Sequence, residues 1–399
     1  MYLKKLCKLF SFFILLYSAL SVAEPSKLTL SVYNPGSASL FPVSSTLILG
    51  NKEAILVDAQ FQKNDAEKLI SLIKQSGRKL KVIYISHSDP DYYFGLDSLA
   101  ENFPEAQILS TPQTAYLINA SKDDKLALWA SKLKEKPSKL ITPTPIQEDY
   151  LELEGNKIII QGLKQDPDHT YLWIPSLKTI LGGVLVSSGL HVWLADSQTE
   201  QSRQAWIKKL EEMRSLSPKS VIPGHFLTKN QPPNFSPSSL QFTQDYIQHF
   251  NQLLHQSPHS QMIVAGMKKL YPNLADEASL QLSAKVLTGE IRWNTLRSFP
   301  GIGKKMRVKF GNTAFELNFK DNKNMSFLGL SGAFKGEHDN VQYTAIEIRP
   351  QVYMVYWHEP ASVTNVVHVE DFEHKIVYTN IAAKDGSFTH LKGTLQLLN

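Results

Sequence analysis

The sequence predicts an α/β layered fold joined through a helical connector to an all-β barrel or sandwich. Three observations carry that prediction. From Leu28 to about Phe226, short apolar strand runs alternate with amphipathic helical stretches, the pattern of stacked sheet and helix layers. A Pro-, Asn- and Ser-rich break from Gln231 to Ser239 then gives way to Phe242, Tyr246, Phe250, Leu253 and Leu254 at helical spacing. From about Phe299 apolar residues recur at every second position, between turns rich in Asn, Asp, Gly and Pro.

The elements follow in order. Thr46–Leu49 and Ala54–Asp58 read as strands, and 64–76 as a helix with Leu69, Ile70, Leu72 and Ile73 on one side. Lys81–Ser86 is a short buried-strand run. Further strands are expected at 107–110, 157–161, 170–174, 179–182 and 219–222, and helices at 92–102, 112–134 and 199–215. Residues 240–293 read as helices whose apolar stripe serves packing. Strands are expected at Met306–Phe310, Phe315–Phe319, Val352–Trp357, Asn365–Glu370, Lys375–Ile381 and His390–Leu397. The expected organisation is a signal peptide over 1–23, a layered domain over 24–230, the connector over 231–298 and the β domain over 299–399. No internal repeat is visible.

At 399 residues the chain is too long for one small domain, and 42% hydrophobic and 10% aromatic residues suffice for ordinary cores. Lys4, Lys5 and Lys8 precede an apolar run from Leu9 to Leu20, and Ser21-Val22-Ala23 offers small residues for cleavage. The run falls short of the roughly 20 residues that a membrane span requires, and no later segment is long and apolar enough. A soluble exported protein, periplasmic or secreted, is therefore expected, with an uncleaved amphipathic anchor as the alternative. Removing 1–23 lowers the formal charge from +5 to near +2, with 39 basic against 37 acidic residues. That balance gives no support to nucleic-acid binding. Cys7, the only cysteine, leaves with the signal, so no disulfide, thiolate nucleophile or cysteine metal ligand is expected in the mature chain.

The chemistry concentrates in Ile85-Ser86-His87-Ser88-Asp89-Pro90-Asp91-Tyr92-Tyr93-Phe94-Gly95, the turn between an apolar strand and a helix. A histidine and two carboxylates stand at alternating positions. A hydrated metal ion needs ligands converging from one side, and alternate residues of an extended turn supply them.

This motif resembles the metallo-β-lactamase fold family, whose usual signature at such a turn is His-x-His-x-Asp-His. The resemblance covers roughly residues 28–226. Asp168-His169-Thr170 looks like the family's Gly-His-Thr element, Gly182-Gly183-Val184-Leu185-Val186 like its Gly-Asp-Leu-Val element, and Pro223-Gly224-His225-Phe226 like its Pro-Gly-His element. It implies an αββα sandwich. Carried over by position, it implies a first metal site at His87, Asp89 and His169, and a second at Asp91, the position of Tyr92, and His225. Some relatives replace the second histidine with an acid, as Asp89 does here. Two imidazoles and a carboxylate suit zinc first, and iron or manganese as well. At the second site Tyr92 is a neutral phenol and Val184 offers no bridging carboxylate, so only Asp91 and His225 remain. The expectation is one divalent metal in a mononuclear site, or none.

One metal would lower the pKa of its water toward ~7 and polarise a carbonyl or phosphoryl oxygen. Asp91 would then serve as general base and His225 as general acid. The competing structural reading is that His87, Asp89 and Asp91 only cap the turn and the helix start, with Pro90 stiffening the loop. His191 is expected in a loop near the site, and His249, His255 and His259 on the solvated surface. Pro300-Gly301-Ile302-Gly303-Lys304 lacks the length and the terminal Ser/Thr of a phosphate loop.

Residues 299–398 resemble the MoaF domain, a small lipocalin-like barrel, in Val341–Pro350, Val352–Glu359, Val366–Asp371 and Tyr378–Ala382. Such barrels commonly bind a small ligand. Alternation puts His368 and Glu370 on one face of their strand, and Tyr353, Val355 and Trp357 opposite Met354, Tyr356 and His358 on theirs. If His358, His368 and Glu370 all face inward, a second metal or an acidic ligand becomes a candidate; the competing reading places the polar face outside. The leading functional expectation is metal-dependent hydrolysis of an ester, lactone or related bond of a small substrate. Its rival is a catalytically inactive ligand-binding or scaffold protein of the cell envelope. A role in molybdenum-cofactor metabolism rests on the domain name alone. The pattern names neither substrate nor oligomeric state.

Overall fold

The computed structural model describes residues 27–398 apart from 165, 229–231, 294–298, 322 and 350. The expected signal peptide and Cys7 lie outside the described residues, as do Gln231 and the end of the connector.

The first sheet has six strands in the order β1 (Thr29–Tyr33), β2 (Ser45–Leu49), β3 (Glu53–Val57), β4 (Lys79–Ile85), β5 (Gln107–Ser110) and β6 (Thr144–Pro145). Its first three strands pair antiparallel and β3 to β6 pair parallel, with α1 (Lys63–Ser76) as the crossover from β3 to β4. Strand β4 is buried on both faces, which explains its unbroken Val82-Ile83-Tyr84-Ile85 run. Val82 and Tyr84 meet the second sheet, whereas Leu80, Ile83 and Ile85 join the core beneath α1.

The segment expected as one helix over 92–102 is two, α2 (Pro90–Tyr93) and α3 (Leu96–Asn102). The break lies where the loop after β3 takes its backbone hydrogen bonds. Ala59 N donates to Tyr92 O at 2.7 Å and Gly95 N to Gln60 O at 3.0 Å. A Cβ at Gly95 would stand 2.1 Å from Ala59 O, so glycine permits the approach. Helix α4 (Pro112–Trp129) starts on a Thr111 cap and ends before the expected 134, because the chain turns to return Leu133 to the core.

The second sheet runs β7 (Tyr150–Leu153), β8 (Asn156–Gln161), β9 (Tyr171–Ile174) and β10 (Thr179–Leu181) in antiparallel sequence. A two-residue strand β11 (Ser187–Ser188) follows, then α5 (Glu200–Ser215), β12 (Ser220–Val221) parallel to β10, and β13 (His225–Phe226) parallel to β11. Ile48, Ile55, Val57 and Tyr84 of the first sheet share a core with Leu153, Ile158, Leu172 and Ile174 of the second. The outer face of the second sheet packs on α5 together with α6 (Ser238–Gln256), α7 (Ser260–Leu270) and α8 (Glu277–Leu287). Trp206, Leu210, Tyr246, Phe250, Met267 and Leu280 form that core, so the connector helices complete the fourth layer of the αββα stack. Among the described residues no helix is long and apolar enough to cross a membrane.

The C-terminal strands β14 (Lys305–Phe310), β15 (Thr313–Phe319), β16 (Asn324–Ser331), β17 (His338–Arg349), β18 (Val352–Glu359), β19 (Thr364–Asp371), β20 (Ile376–Ala382) and β21 (Phe388–Leu398) close into an antiparallel barrel through β14–β21 pairing. Met306, Val308 and Phe310 point inward and Lys305, Arg307 and Lys309 outward, the alternation seen in the sequence. Phe299 plugs one end, its ring 4.9 Å from Phe319 and 5.3 Å from Tyr353.

Candidate functional site

The site forms where β4 ends. Ser86 N and Oγ donate to the two oxygens of Asp58 at 2.8 and 2.7 Å, and Gly183 N donates to Ser86 Oγ at 2.7 Å. These bonds tie β3, β4 and the loop after β10 together beneath the motif. Asp58 is buried, and burial pushes its carboxyl up to about 7 against the opposing hydrogen bonds from Ser86. Sequence reading passed over this residue, whose signal was an acid ending an apolar strand.

The turn then delivers two polar clusters. In the first, His87 Nδ1 accepts from Asp89 N at 3.2 Å and lies 3.4 Å from Asp89 Oδ2. Lys125, buried on α4, donates to Ser88 O at 2.8 Å and meets Asp89 Oδ1 at 3.2 Å. Burial works against the ionised form of Asp89, but the His87 ring and the Lys125 ammonium outweigh it and hold the carboxyl well below the usual carboxylate range. Burial also opposes charge on His87, yet Asp89 raises that imidazole overall. His169 stacks on His87 with ring centroids 5.8 Å apart, and its Nδ1 is 2.8 Å from Asp166 Oδ2.

In the second cluster His225 Nε2 is 2.7 Å from Asp91 Oδ2, and its Nδ1 is 3.4 Å from the Tyr92 hydroxyl, which donates to Gly183 O at 3.3 Å. Burial pushes the Tyr92 phenol up, keeping it neutral. Ser44 fixes the chain before His225, its N donating to Gly224 O at 2.8 Å and its Oγ to Pro223 O at 2.7 Å.

The five expected ligands thus line one region in two clusters, His87, Asp89 and His169 in one and Asp91 and His225 in the other. Among the described residues, no three of His87, Asp89, Asp91, His169 and His225 bring donor atoms within 4.8 Å of one another. Zinc needs donors converging at about 2.0–2.2 Å. Here Asp89 is held by an ammonium and Asp91 by direct contact with His225, while Val184 brings only methyl groups. This arrangement does not fit a metal. The trio that does converge, Asp371, Glu373 and His374 on the barrel, already carries Arg349 on both acids.

Two adjoining cavities open over the clusters, about 860 and 690 Å³ with their mouths included, sharing Asp89, Lys125, Val184, Trp193, Asp196 and Trp206. Leu117, Ser121 and Lys125 present one face of α4 to the second of them, an i, i+4, i+8 spacing that could have singled out Lys125 from the sequence. Aromatic rings wall the first. Phe41 stands edge-on to Trp129 (5.1 Å, 84°) and to Trp193 (6.5 Å, 86°), and Trp193 to Trp293 (5.5 Å, 71°). Asp196 fixes two of these rings, accepting from Trp193 Nε1 at 2.6 Å and from Trp293 Nε1 at 2.7 Å.

His191 also lines this wall, in the loop after β11 as expected and buried there, with its Nδ1 3.0 Å from the Tyr246 hydroxyl. Burial lowers its imidazole pKa. His249 is half-buried against the Tyr271 hydroxyl at 2.8 Å, whereas His255 and His259 are exposed as expected. In the barrel His368 and Glu370 face inward and His358 faces solvent, so the three do not share an interior site.

Residues 38–225 match the family model described as Metallo-beta-lactamase superfamily, whose members generally bind divalent metals such as zinc, and residues 302–396 match the model MoaF-like. Among solved structures the chain is similar to a metallo-beta-lactamase from Pontibacter korlensis, 18% identical, covering 57% of this chain and 96% of that one with a TM-score of 0.39. It is also similar to the DIM-1 metallo-beta-lactamase, 18% identical, covering 56% of this chain and 99% of that one, TM-score 0.40. Among curated proteins it is 30% identical over 80 residues to "Uncharacterized protein YobT" of Bacillus subtilis (strain 168), over 20% of this chain and 34% of that protein. The chain thus spans about a third of the length of that relative.

Proposed function

We propose, for a chain that joins a metallo-β-lactamase-like region to a MoaF-like barrel, that the cavity over the His87 turn binds a small organic cation in an exported, hydrolase-derived protein. The aromatic wall pinned by Asp196 carries this reading. Perpendicular indole and phenyl faces create the negative quadrupole surface that attracts a quaternary ammonium group. Asp91, Asp196 and Asp276 line the same cavity, and its lysine is engaged by Asp89. Rings fixed by hydrogen bonds and packing bind without losing much side-chain freedom.

The test is calorimetric titration of the purified chain with choline and with its neutral isostere dimethylbutanol. Choline binding that the isostere lacks, and that Trp193→Ala weakens by about tenfold or more, is the expected result. Equal binding of both, or of neither, would remove the cation. Export is supported by residues 1–23 and is tested by N-terminal sequencing of protein recovered from outside the cytoplasm.

Metal-dependent hydrolysis of an ester or lactone through a mononuclear site at His87, Asp89 and His169, with Asp91 as base and His225 as acid, is the second reading. The superfamily match over 38–225 favours it, and the Lys125 contact stands against it. Elemental analysis after zinc reconstitution, with a His87→Ala variant alongside, separates the two. One equivalent of zinc lost in the variant, together with ester turnover abolished by chelation, would restore this reading.

A further inference from the structure

The barrel opens into a third cavity, about 440 Å³ with its mouth included, at the end opposite the Phe299 plug. Its wall is apolar, built by Phe310, Leu317, Phe327 and Val366 among others. Four polar side chains interrupt it, Thr313, Glu359, His368 on β19 and Thr379 on β20, and the last two are direct cross-strand partners. Both are buried, at 4% and 1% exposure. Among the described residues Thr379 Oγ1 has no hydrogen-bond partner. His368 Nδ1 is engaged by Glu370 Oε1 at 3.0 Å, and among the described residues its Nε2 has none. A buried polar group left unpaired, as Thr379 Oγ1 is, costs stability and calls for an explanation.

We propose that this cavity takes an apolar molecule ending in a hydroxyl group, whose head bonds His368 Nε2 and Thr379 Oγ1 together. Opposed residues on adjacent strands place their Cβ atoms about 4.5–5.5 Å apart, within reach of one oxygen. The proton between Glu370 and His368 decides whether Nε2 accepts or donates, and a hydroxyl serves either state because it does both. Thr379 supplies the complementary role. A carboxylate head fits less well. It only accepts, and it would bring a negative charge into a cavity lined by Glu359 and backed by the buried Glu370, whose carboxyl burial already pushes up against the opposing pull of His368. Trp357 stands edge-on over the His368 ring at 4.8 Å and holds it in place.

The experiment is calorimetric titration of the full chain, near neutral pH, with decanol, its methyl ether and decanoate, below their aggregation limits. Saturable binding of one decanol per chain is expected, with the ether and decanoate about tenfold weaker. Thr379→Val keeps the shape and removes the unpaired hydroxyl, so the melting temperature should hold or rise while decanol affinity falls by about tenfold. His368→Gln should weaken decanol similarly, and if that variant does not fold, Thr379→Val alone decides. No saturable decanol binding, tighter binding of decanoate, or unchanged affinity in Thr379→Val would each overturn the assignment. Choline does not enter this titration, so its outcome is independent of the cavity over the His87 turn.

Discussion

Lys125 and Asp89 form an ion pair at 3.2 Å, at the carboxylate that the turn after β4 would otherwise present to a metal. The ammonium neutralises that end of the cavity without a metal ion, and its second bond to Ser88 O anchors α4 to the turn. The pair is structural and electrostatic at once, so its removal should show in two measurements.

Lys125→Met preserves the aliphatic stem and deletes the charge. It should lower unfolding free energy by about 1–3 kcal/mol, below the cost of breaking a fully buried pair because Asp89 is one-third exposed and water screens it. The same variant frees a carboxylate beside His87 and His169. Zinc affinity, followed by competition with a chelator, should rise by about tenfold or more over the wild type. Unchanged zinc affinity would show that Lys125 is not what keeps Asp89 from metal.

Supplying ligands at 92 and 184, where the metallo-β-lactamase signature carries them, should create a second metal position. In Tyr92→His with Val184→Asp, the new imidazole and carboxylate join Asp91 and His225. Without zinc the double variant should melt below the wild type, since an acid added at the half-buried position 184 has no partner. With zinc it should gain several degrees that the wild type does not gain, because a ligand bound only by the folded state stabilises it by mass action. A melting curve with and without zinc decides.

The local parts of this site were readable because the sequence states them locally. An apolar strand, alternating His and Asp, and a proline at the first helical turn all lie within the eleven residues from Ile85 to Gly95. Barrel strands announced themselves by period two wherever the interior is apolar. What escaped depended on distant partners. Lys125 meets Asp89 across 36 residues, and the aromatic wall joins Phe41 to Trp293. Strand β16 was missed because its inward positions are Met325, Phe327 and Gly329, and the glycine interrupts the apolar count. His368 and Glu370 depart from the binary rule that sends polar residues outward, inside an otherwise apolar barrel core.

Asp58 sets a pH dependence that can be isolated. Its folded carboxyl keeps its proton up to about 7, while the unfolded chain releases it near 3.8. Between those values the folded state binds more protons, so this group's contribution to stability is complete below the lower value and is lost as pH rises through the upper one. Asp58→Asn cannot titrate. The melting-temperature difference between variant and wild type should therefore shift in the variant's favour from pH 4 toward pH 7, by several degrees, and level off above. A difference that stays flat across the window would mean that Asp58 is ionised throughout.

Gly224 makes a tight backbone approach beneath His225. A Cβ there would lie 2.2 Å from Gly183 O and 2.9 Å from the Tyr92 hydroxyl. The first contact is with backbone, so it cannot be relieved by turning a side chain. The strand bearing His225 must move away from the loop that carries Gly183 and Val184. Gly224→Ala should cost about 2–4 kcal/mol, in the range of overpacking in a rigid interior. Displacing His225 also lengthens its 2.7 Å contact with Asp91, and that pair helps set the charge of the cavity. Choline affinity should therefore fall with stability, whereas decanol binding in the barrel should not change. Loss of both together would point to global unfolding, and loss of neither would show that the two loops separate freely.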